Sequence, residues 1–367
     1  MVASGGDDDA RFMAHALALA ARGLFTTSPN PRVGCVIVRD GRIVGEGFHA
    51  RAGGPHAEIE ALRDAAARHE DVRGATVYVT LEPCNHVGRT GPCAQALVDA
   101  GVARVVAAMR DPNPDAKDGG ETLAQAGIRF ESGVREAEAR ELNPGFVSCM
   151  TRGLPFVRMK VAASLDGRTA MAGGESRWIT SEAARADGHA WRARACAVLT
   201  GIGTVQADDP QMTVRAVATT RQPLRIVVDR HAQTPPDAKV LRGGALVVTA
   251  GARNAQWGED VAHLALPDGQ GRVDLVAMMR ELARRELGEI HVEAGARLNG
   301  ALLAAGVVDE LLVYVAPALL GDPARGIAQY ADALRPLAGR VRLAWDAIDR
   351  VGDDLRVRAR VLREDAR

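Results

Sequence analysis

TLEPCNHVGRTGPC, residues 80–93, sets Cys84 and Cys93 on either side of an eight-residue polar insert. Two thiols held this way can form a disulfide, share a metal ion, or lie in an apolar interior. The chain has five cysteines in no framework spacing, which points to a reducing, cytoplasmic setting and ranks a metal or catalysis above a disulfide. A partner for the pair lies upstream in GGPHAEIEAL, residues 53–62, where His56 and Glu58 are two apart. On a regular helix such side chains point nearly opposite ways, so they converge only where a helix begins. Gly53, Gly54 and Pro55 supply that beginning, since proline suits the first helical position and leaves no unpaired N–H. Cys84 after Glu82-Pro83 and Cys93 after Pro92 read the same way, which puts all three candidate ligands at helix starts. A thiolate there is stabilised by backbone N–H groups and the helix dipole.

One imidazole and two thiolates leave the fourth position of a tetrahedral zinc open, the pattern of a catalytic site. Two thiolates also neutralise the ion and weaken it as a Lewis acid. A carboxylate must then take the proton from water, and Glu58 fits that role. His-x-Glu followed by Pro-Cys and a second cysteine is the signature of zinc nucleobase deaminases, except that eight residues rather than two separate the cysteines here. The insert carries His86 and Arg89, which are either contacts to an anionic part of a substrate or side chains of an ordinary surface loop. Asn30, in a proline-bounded turn, is either a turn residue or an amide that reads a heterocycle's edge. His49 and Asn113 are further candidates at this site. Cys35, Cys149 and Cys196 lie in apolar or junction segments and read as core or incidental.

Working outward, CVIVRDGRIVGEGFH reads as a hairpin turning at Asp40-Gly41, HAEIEALRDAAARHE as a helix, and ATVYVTLEP as a buried strand. CAQALVDAGV, RVVAAM and ETLAQAGIRFESGV repeat helix and strand. The first third is therefore a compact α/β domain with a mixed sheet, over residues 1–150. NPGFVSCMTRGLPFVRMK is the junction, and a second α/β domain covers 151–367. Its strands are FVRMKVAASLDG, CAVLTGI, LRIVVD, ALVVTA, EIHVEA and ELLVYVAP, with a helix at LVAMMRELARREL.

The 367 residues suit two domains, and 47% hydrophobic with 25% charged residues is an ordinary globular balance. Lys plus Arg equals Asp plus Glu at 46 each, so no global field draws the chain to nucleic acid or an anionic membrane. The amino-terminal MVASGGDDDA is acidic where a signal peptide is basic, and the apolar run Phe12 to Ala21 is too short to span a bilayer; it reads as an amphipathic helix.

PNPRVGCVIV, HAEIEAL, TLEPCNHVGRTGPC and DPNP resemble the deaminase domain of the bifunctional riboflavin-biosynthesis deaminase–reductases. KVAASLDGRTA, ESRWITS, GIGTVQADDPQMTVR and VEAGARLNGALL resemble their reductase domain, in the same order, so the likeness spans about residues 10 to 360. It implies a cytidine-deaminase-like α/β/α domain followed by a dihydrofolate-reductase-like α/β domain. It also implies two reactions. Zinc-activated water replaces the 2-amino group of 2,5-diamino-6-(5-phosphoribosylamino)pyrimidin-4-one. NADPH then reduces the ribosyl group of 5-amino-6-(5-phosphoribosylamino)uracil to ribityl. The ligands are small phosphorylated pyrimidines, not nucleic acid or membrane, and the family tends to associate as homo-oligomers through the reductase domain.

By the same resemblance, Ala162, Trp178, Thr204, Asp208 and the segment Gly295, Ala296, Arg297, Leu298, Asn299, Gly300 and Ala301 are cofactor contacts. Ser176, Arg192, Met212, Arg215 and Glu293 are substrate contacts. A 5′-phosphate independently calls for guanidinium groups such as those of Arg192 and Arg215. Lys160 and Asp208 either polarise the sugar carbon being reduced or form a structural ion pair. No G-x-G-x-x-G is present, so the dinucleotide rests on resemblance, although a glycine turn before a helix can present N–H groups to a phosphate. The chain departs from the family pattern at Gly91, Met212, Arg230 and Ala294. Arg230 stands where a small hydroxyl residue is usual; it removes one cofactor contact or meets a cofactor phosphate. Competing readings are a nucleic-acid-editing zinc deaminase with a fused binding domain, a structural zinc in an assembly module, and a deaminase with a degenerate reductase half. A net charge of zero and 4% aromatic residues speak against the first.

Overall fold

The computed structural model describes residues 5–85, 91–116, 118–331 and 336–363. The chain forms two compact units, Met1–Arg152 and Gly153–Arg367. The division falls where a helix ends and Gly153 takes φ +65°.

The first unit runs α1 (Gly5–Ala21), β1 (Gly34–Arg39), β2 (Arg42–Phe48), α2 (Ala57–Ala67), β3 (Thr76–Val79), α3 (Cys93–Asp99), β4 (Arg104–Ala107), α4 (Gly119–Gln125), β5 (Arg129–Ser132), α5 (Glu136–Leu142) and α6 (Pro144–Arg152). Its sheet order is β2-β1-β3-β4-β5. Strand β1 is antiparallel to both neighbours, and β3, β4 and β5 are parallel, which makes the sheet mixed. Asp40 and Gly41 both take positive φ, as a two-residue hairpin turn requires. Alternation along β1 divides the core. Cys35 and Ile37 pack with Ala57, Ala61 and Leu97, while Val36 and Val38 pack with Phe12, Met13 and Ala16. The sheet is thus covered on both faces. Helix α1 lies so close that a Cβ on Gly34 would sit 2.0 Å from the Ala16 carbonyl oxygen.

The second unit contains β6 (Phe156–Ser164), β7 (Arg168–Ala170), α7 (Glu182–Arg194), β8 (Ala197–Gly201), α8 (Ile202–Asp208), β9 (Leu224–Val228), β10 (Ala245–Thr249), β11 (Val261–Ala265), α9 (Leu275–Arg284), β12 (Glu289–Val292), α10 (Ala296–Ala304), β13 (Glu310–Ala316), β14 (Arg325–Gly326), β15 (Arg342–Val351) and β16 (Asp354–Leu362). Nine strands form one sheet in the order β11-β10-β9-β8-β12-β6-β13-β16-β15. It is parallel from β11 to β13 and antiparallel beyond. One face packs Val157, Met159, Ile290 and Val292 against Met278, Leu282 and Leu302. The alternate residues of β6 and β12, Arg158, Lys160, Glu289 and His291, with Glu293 just past β12, form a polar stripe on the opposite face. There Arg158, fully buried, pairs with Glu289 at 2.8 Å and with Glu310, and stacks on Trp191 at 4.4 Å. Strand β11 escapes the sequence reading because it is a short, partly exposed edge strand, and β15 and β16 because they are an edge pair rich in arginine and aspartate, without a buried apolar run.

Candidate active sites

In the first unit, His56 is the N-cap of α2, with ψ 163° outside the helical range. That turn lets its ring face the same hollow as Glu58 in the first helical turn. Cys93 opens α3 after Pro92. Cys84 does not begin a helix, contrary to expectation; it lies in the irregular segment after β3, which Pro83 keeps out of regular structure. The helix reaches it nonetheless, because Cys84 Sγ accepts the backbone N–H of Cys93 at 3.5 Å. His56 Nδ1 stands 3.3 Å from Cys93 Sγ and 3.6 Å from Cys84 Sγ, and all three donor atoms lie within 4.8 Å of one another. Bond lengths of about 2.0–2.3 Å around a tetrahedral zinc separate its ligand atoms by roughly 3.5 Å, which the two separations between His56 and the sulfurs match.

The electrostatics agree. The hydrogen bond between the sulfurs pulls Cys84 down to about 4 and pushes Cys93 up, so the pair holds one proton that a cation would displace. The bond to Cys84 raises His56. Burial, helped by the negative Cys84, pushes the Glu58 carboxyl up to about 7. A carboxyl poised there both accepts and returns a proton at neutral pH.

Beside this centre, His49 Nδ1 donates to the Pro55 carbonyl at 2.8 Å, which leaves Nε2 to accept from Asn30 Nδ2 at 3.1 Å. The His49 and His56 rings meet edge to face at 5.6 Å. The Asn30 amide is therefore oriented by a residue that touches His56. Asn113 instead closes its own turn, accepting the Asp115 N–H and donating its N–H to Asp111. His86 and Arg89 lie outside the described residues. Sequence reasoning missed Glu82. Its buried carboxylate accepts the N–H groups of Gly120 at 2.9 Å and Asp111 at 3.2 Å, tying the Pro83-Cys84 segment to the start of α4 and to the loop after β4. A carboxylate two positions before a candidate ligand, Cys84, was the available signal.

The second unit has a cleft of about 1560 Å³ at the carboxyl ends of β6, β8 and β12, the edge where open α/β sheets bind ligands. The volume exceeds the roughly 300–1,000 Å³ of a typical small-molecule pocket and suits two ligands together. Ser176, Arg192, Met212, Arg215 and Glu293 line it, as do Lys160, Ala162, Trp178, Thr204, Asp208, Gly295, Ala296, Arg297 and Leu298. Asn299, Gly300 and Ala301 do not. Asn299 is buried and donates to the Ile327 carbonyl, and Gly300 backs onto Gln329. Arg230 is also absent from the lining and donates to the Gly271 carbonyl at 2.8 Å. Trp178 is 70% exposed at the rim, with Arg185 4.5 Å from its ring centroid, so it is not a core residue.

Arg192 grips Glu293 through Nε and Nη2, the latter at 2.8 Å. Burial opposes ionisation of Glu293, but the Arg192 guanidinium overrides it and holds the carboxyl well below its usual range. Burial also lowers Lys160, helped by Arg192 and opposed by Glu293. Asp208 pairs with Arg177 at 3.4 Å, not with Lys160.

Residues 155–355 match the model of the RibD C-terminal domain, and residues 7–109 match the cytidine and deoxycytidylate deaminase zinc-binding region. The riboflavin biosynthesis protein RibD of Escherichia coli is 49% identical over 362 residues, covering 95% of this chain and 98% of that protein. The chain belongs to the RibD family. Acinetobacter baumannii RibD has a solved structure with TM-score 0.90 at 43% identity, covering 98% of this chain and all of that one. A deaminase/reductase from Thermotoga maritima, named for diaminohydroxyphosphoribosylaminopyrimidine and 5-amino-6-(5-phosphoribosylamino)uracil, superposes with TM-score 0.89 at 34% identity, covering 97% and 99% of the two chains. Both halves of the resemblance hold, and the chain is a bifunctional deaminase–reductase of riboflavin biosynthesis. The nucleic-acid-editing alternative is not favoured. Among the described residues, no helix is long and apolar enough to cross a membrane.

Proposed function

We propose that the first unit deaminates 2,5-diamino-6-(5-phosphoribosylamino)pyrimidin-4-one and that the second reduces the ribosyl group of 5-amino-6-(5-phosphoribosylamino)uracil with NADPH. The observation that carries the first reaction is a buried carboxyl raised to about 7 beside one imidazole and two sulfurs at zinc-ligand separations. His56, Cys84 and Cys93 would hold zinc, which when bound supplies the Lewis acid that makes water a nucleophile near neutral pH. Glu58 takes one proton of the attacking water and gives it to the ring nitrogen, then carries the second, from the hydroxyl formed on the ring carbon, to the departing amine, so that the C–N bond breaks and ammonia leaves. Asn30, oriented by His49, is suited to read the pyrimidine edge.

In the second reaction NADPH, when bound, supplies the hydride, and the protein orients the partners. The residues from Gly295 to Leu298 and Thr204 serve the cofactor, and Trp178 offers a stacking face. Arg215, Arg192, Ser176 and Met212 hold the phosphorylated substrate. Glu293 and Lys160 lie together at the reacting end, where a lysine of lowered pKa can donate a proton to the sugar oxygen. Assembly as a homo-oligomer through the reductase domain and a cytoplasmic location belong to the same proposal. The test is purified chain with the diaminopyrimidine ribotide. Ammonia should appear without NADPH, and NADPH should be oxidised only after deamination. Ammonia without any oxidation would refute the reductase half.

A further inference from the structure

Helix α7 presents Arg185, His189 and Arg192 to the reductase cleft, spaced four and three apart so that they form one stripe. His189 is the neutral member of the stripe. Its Nδ1 accepts the backbone N–H of Arg215 at 3.2 Å. A peptide N–H can only donate, so the ring proton resides on Nε2. The ring lines the cleft, and Nε2 has no protein partner among the described residues. The charged groups around it are Arg192 on the same helix, Arg215 beyond α8, Lys160 on β6 and Glu293 after β12. Burial and the two arginines hold His189 down to about 4, so the ring is neutral at physiological pH.

Arg192 and one nitrogen of Arg215 are already engaged. Arg192 donates twice to Glu293 and once to the Thr213 carbonyl. Arg215 donates from Nη1 to Gln211 and Thr213. Beside Lys160 and the remaining nitrogens of Arg215, an entering anion meets in His189 a donor whose direction is fixed by the backbone and which breaks no existing bond. We propose that His189 contacts the substrate of the reductase site, donating from Nε2 to its 5′-phosphate beside Arg215. This rests on the reductase reading given above.

Two measurements test it. Steady-state NADPH oxidation should show KM for the phosphoribosylaminouracil raised about tenfold in His189→Leu, the scale of one hydrogen bond to a charged group, with kcat changed much less. His189→Gln keeps a donor near the Nε2 position and should restore KM to within about twofold. With the dephosphorylated ribosyl substrate, His189→Leu and wild type should share one KM. An unchanged KM in His189→Leu, or an equal rise for both substrates, overturns the contact. The second measurement is the histidine-ring 1H–15N spectrum at neutral pH, with the His189 signal assigned by its loss in His189→Gln. Ribose 5-phosphate should move Nε2 and ribose should not. If wild type oxidises no NADPH, the reductase reading falls on its own, and the spectra still decide the contact: an Nε2 signal indifferent to ribose 5-phosphate overturns it.

Discussion

Glu58 owes its chemistry to three surroundings: burial, a sulfur that stays negative, and a helix start that turns it toward His56. Glu58→Gln keeps the shape and the ligands but cannot take up a proton. Zinc content should stay near one per chain while ammonia release falls by about 10²–10⁴-fold, the usual weight of a positioned acid–base group. Elemental analysis beside an ammonia assay separates the two effects. Cys93→Ser should lose the metal instead, because an alcohol does not replace a thiolate ligand. Asp166 offers a pH test in the other unit. Its carboxylate accepts from Ser164 Oγ and from the N–H groups of Gly321 and Leu320, which hold it down to about 2 from an ordinary 3.8. Because the folded value is the lower one, its contribution is complete above the unfolded value and disappears as pH falls toward 2. Asp166→Asn should lower the urea midpoint at neutral pH, and the gap from wild type should close on acidification through that window.

At the scale of elements, the metal centre depends on how closely α4 approaches the segment before Cys84. A Cβ on Gly119 would fall 1.8 Å from the Pro83 carbonyl oxygen, so one of them must move. Gly119→Ala should weaken zinc affinity by about tenfold or more, read by competition with a chromophoric chelator, because ligand geometry is set by such supporting contacts. In the other unit, α7 is fastened over β6, β12 and β13 by Arg158, Glu289, Glu310 and Arg194. Arg158→Met leaves two buried carboxylates without their shared partner. It should cost about 3–5 kcal/mol in chemical denaturation, whereas replacing the whole cluster by apolar residues should cost far less.

For the whole molecule, each unit has its own apolar clusters, and the chemistry divides in the same way. Calorimetry should therefore resolve two responses. A chelator should lower the transition of the deaminase unit alone, and NADPH at about 100 times its Kd should stabilise the reductase unit alone by roughly 2.7 kcal/mol. A single transition shifted equally by both would show that the units unfold as one.

The sequence by itself determined which residue types are available to hold a metal and carry a proton, the two-unit order and most buried strands. These depend on residue chemistry and local spacing: His-x-Glu after Gly-Gly-Pro, cysteines after prolines, and apolar runs closed by glycine. It also carried the family, because its motifs fall in one order along the chain. Only the tertiary structure decided that Cys84 stands outside any helix yet receives an N–H from one. It alone put Asn30 in the hands of His49, gave Glu82 its anchoring task, and turned Asn299, Gly300 and Arg230 away from the cleft. Strands β15 and β16 were hidden for a related reason, since their burial is partial and their pairing is with distant segments. Local pattern fixes which groups are available. Which of them converge, and which way a ring proton points, depends on contacts between residues far apart in the chain, and no spacing rule encodes those.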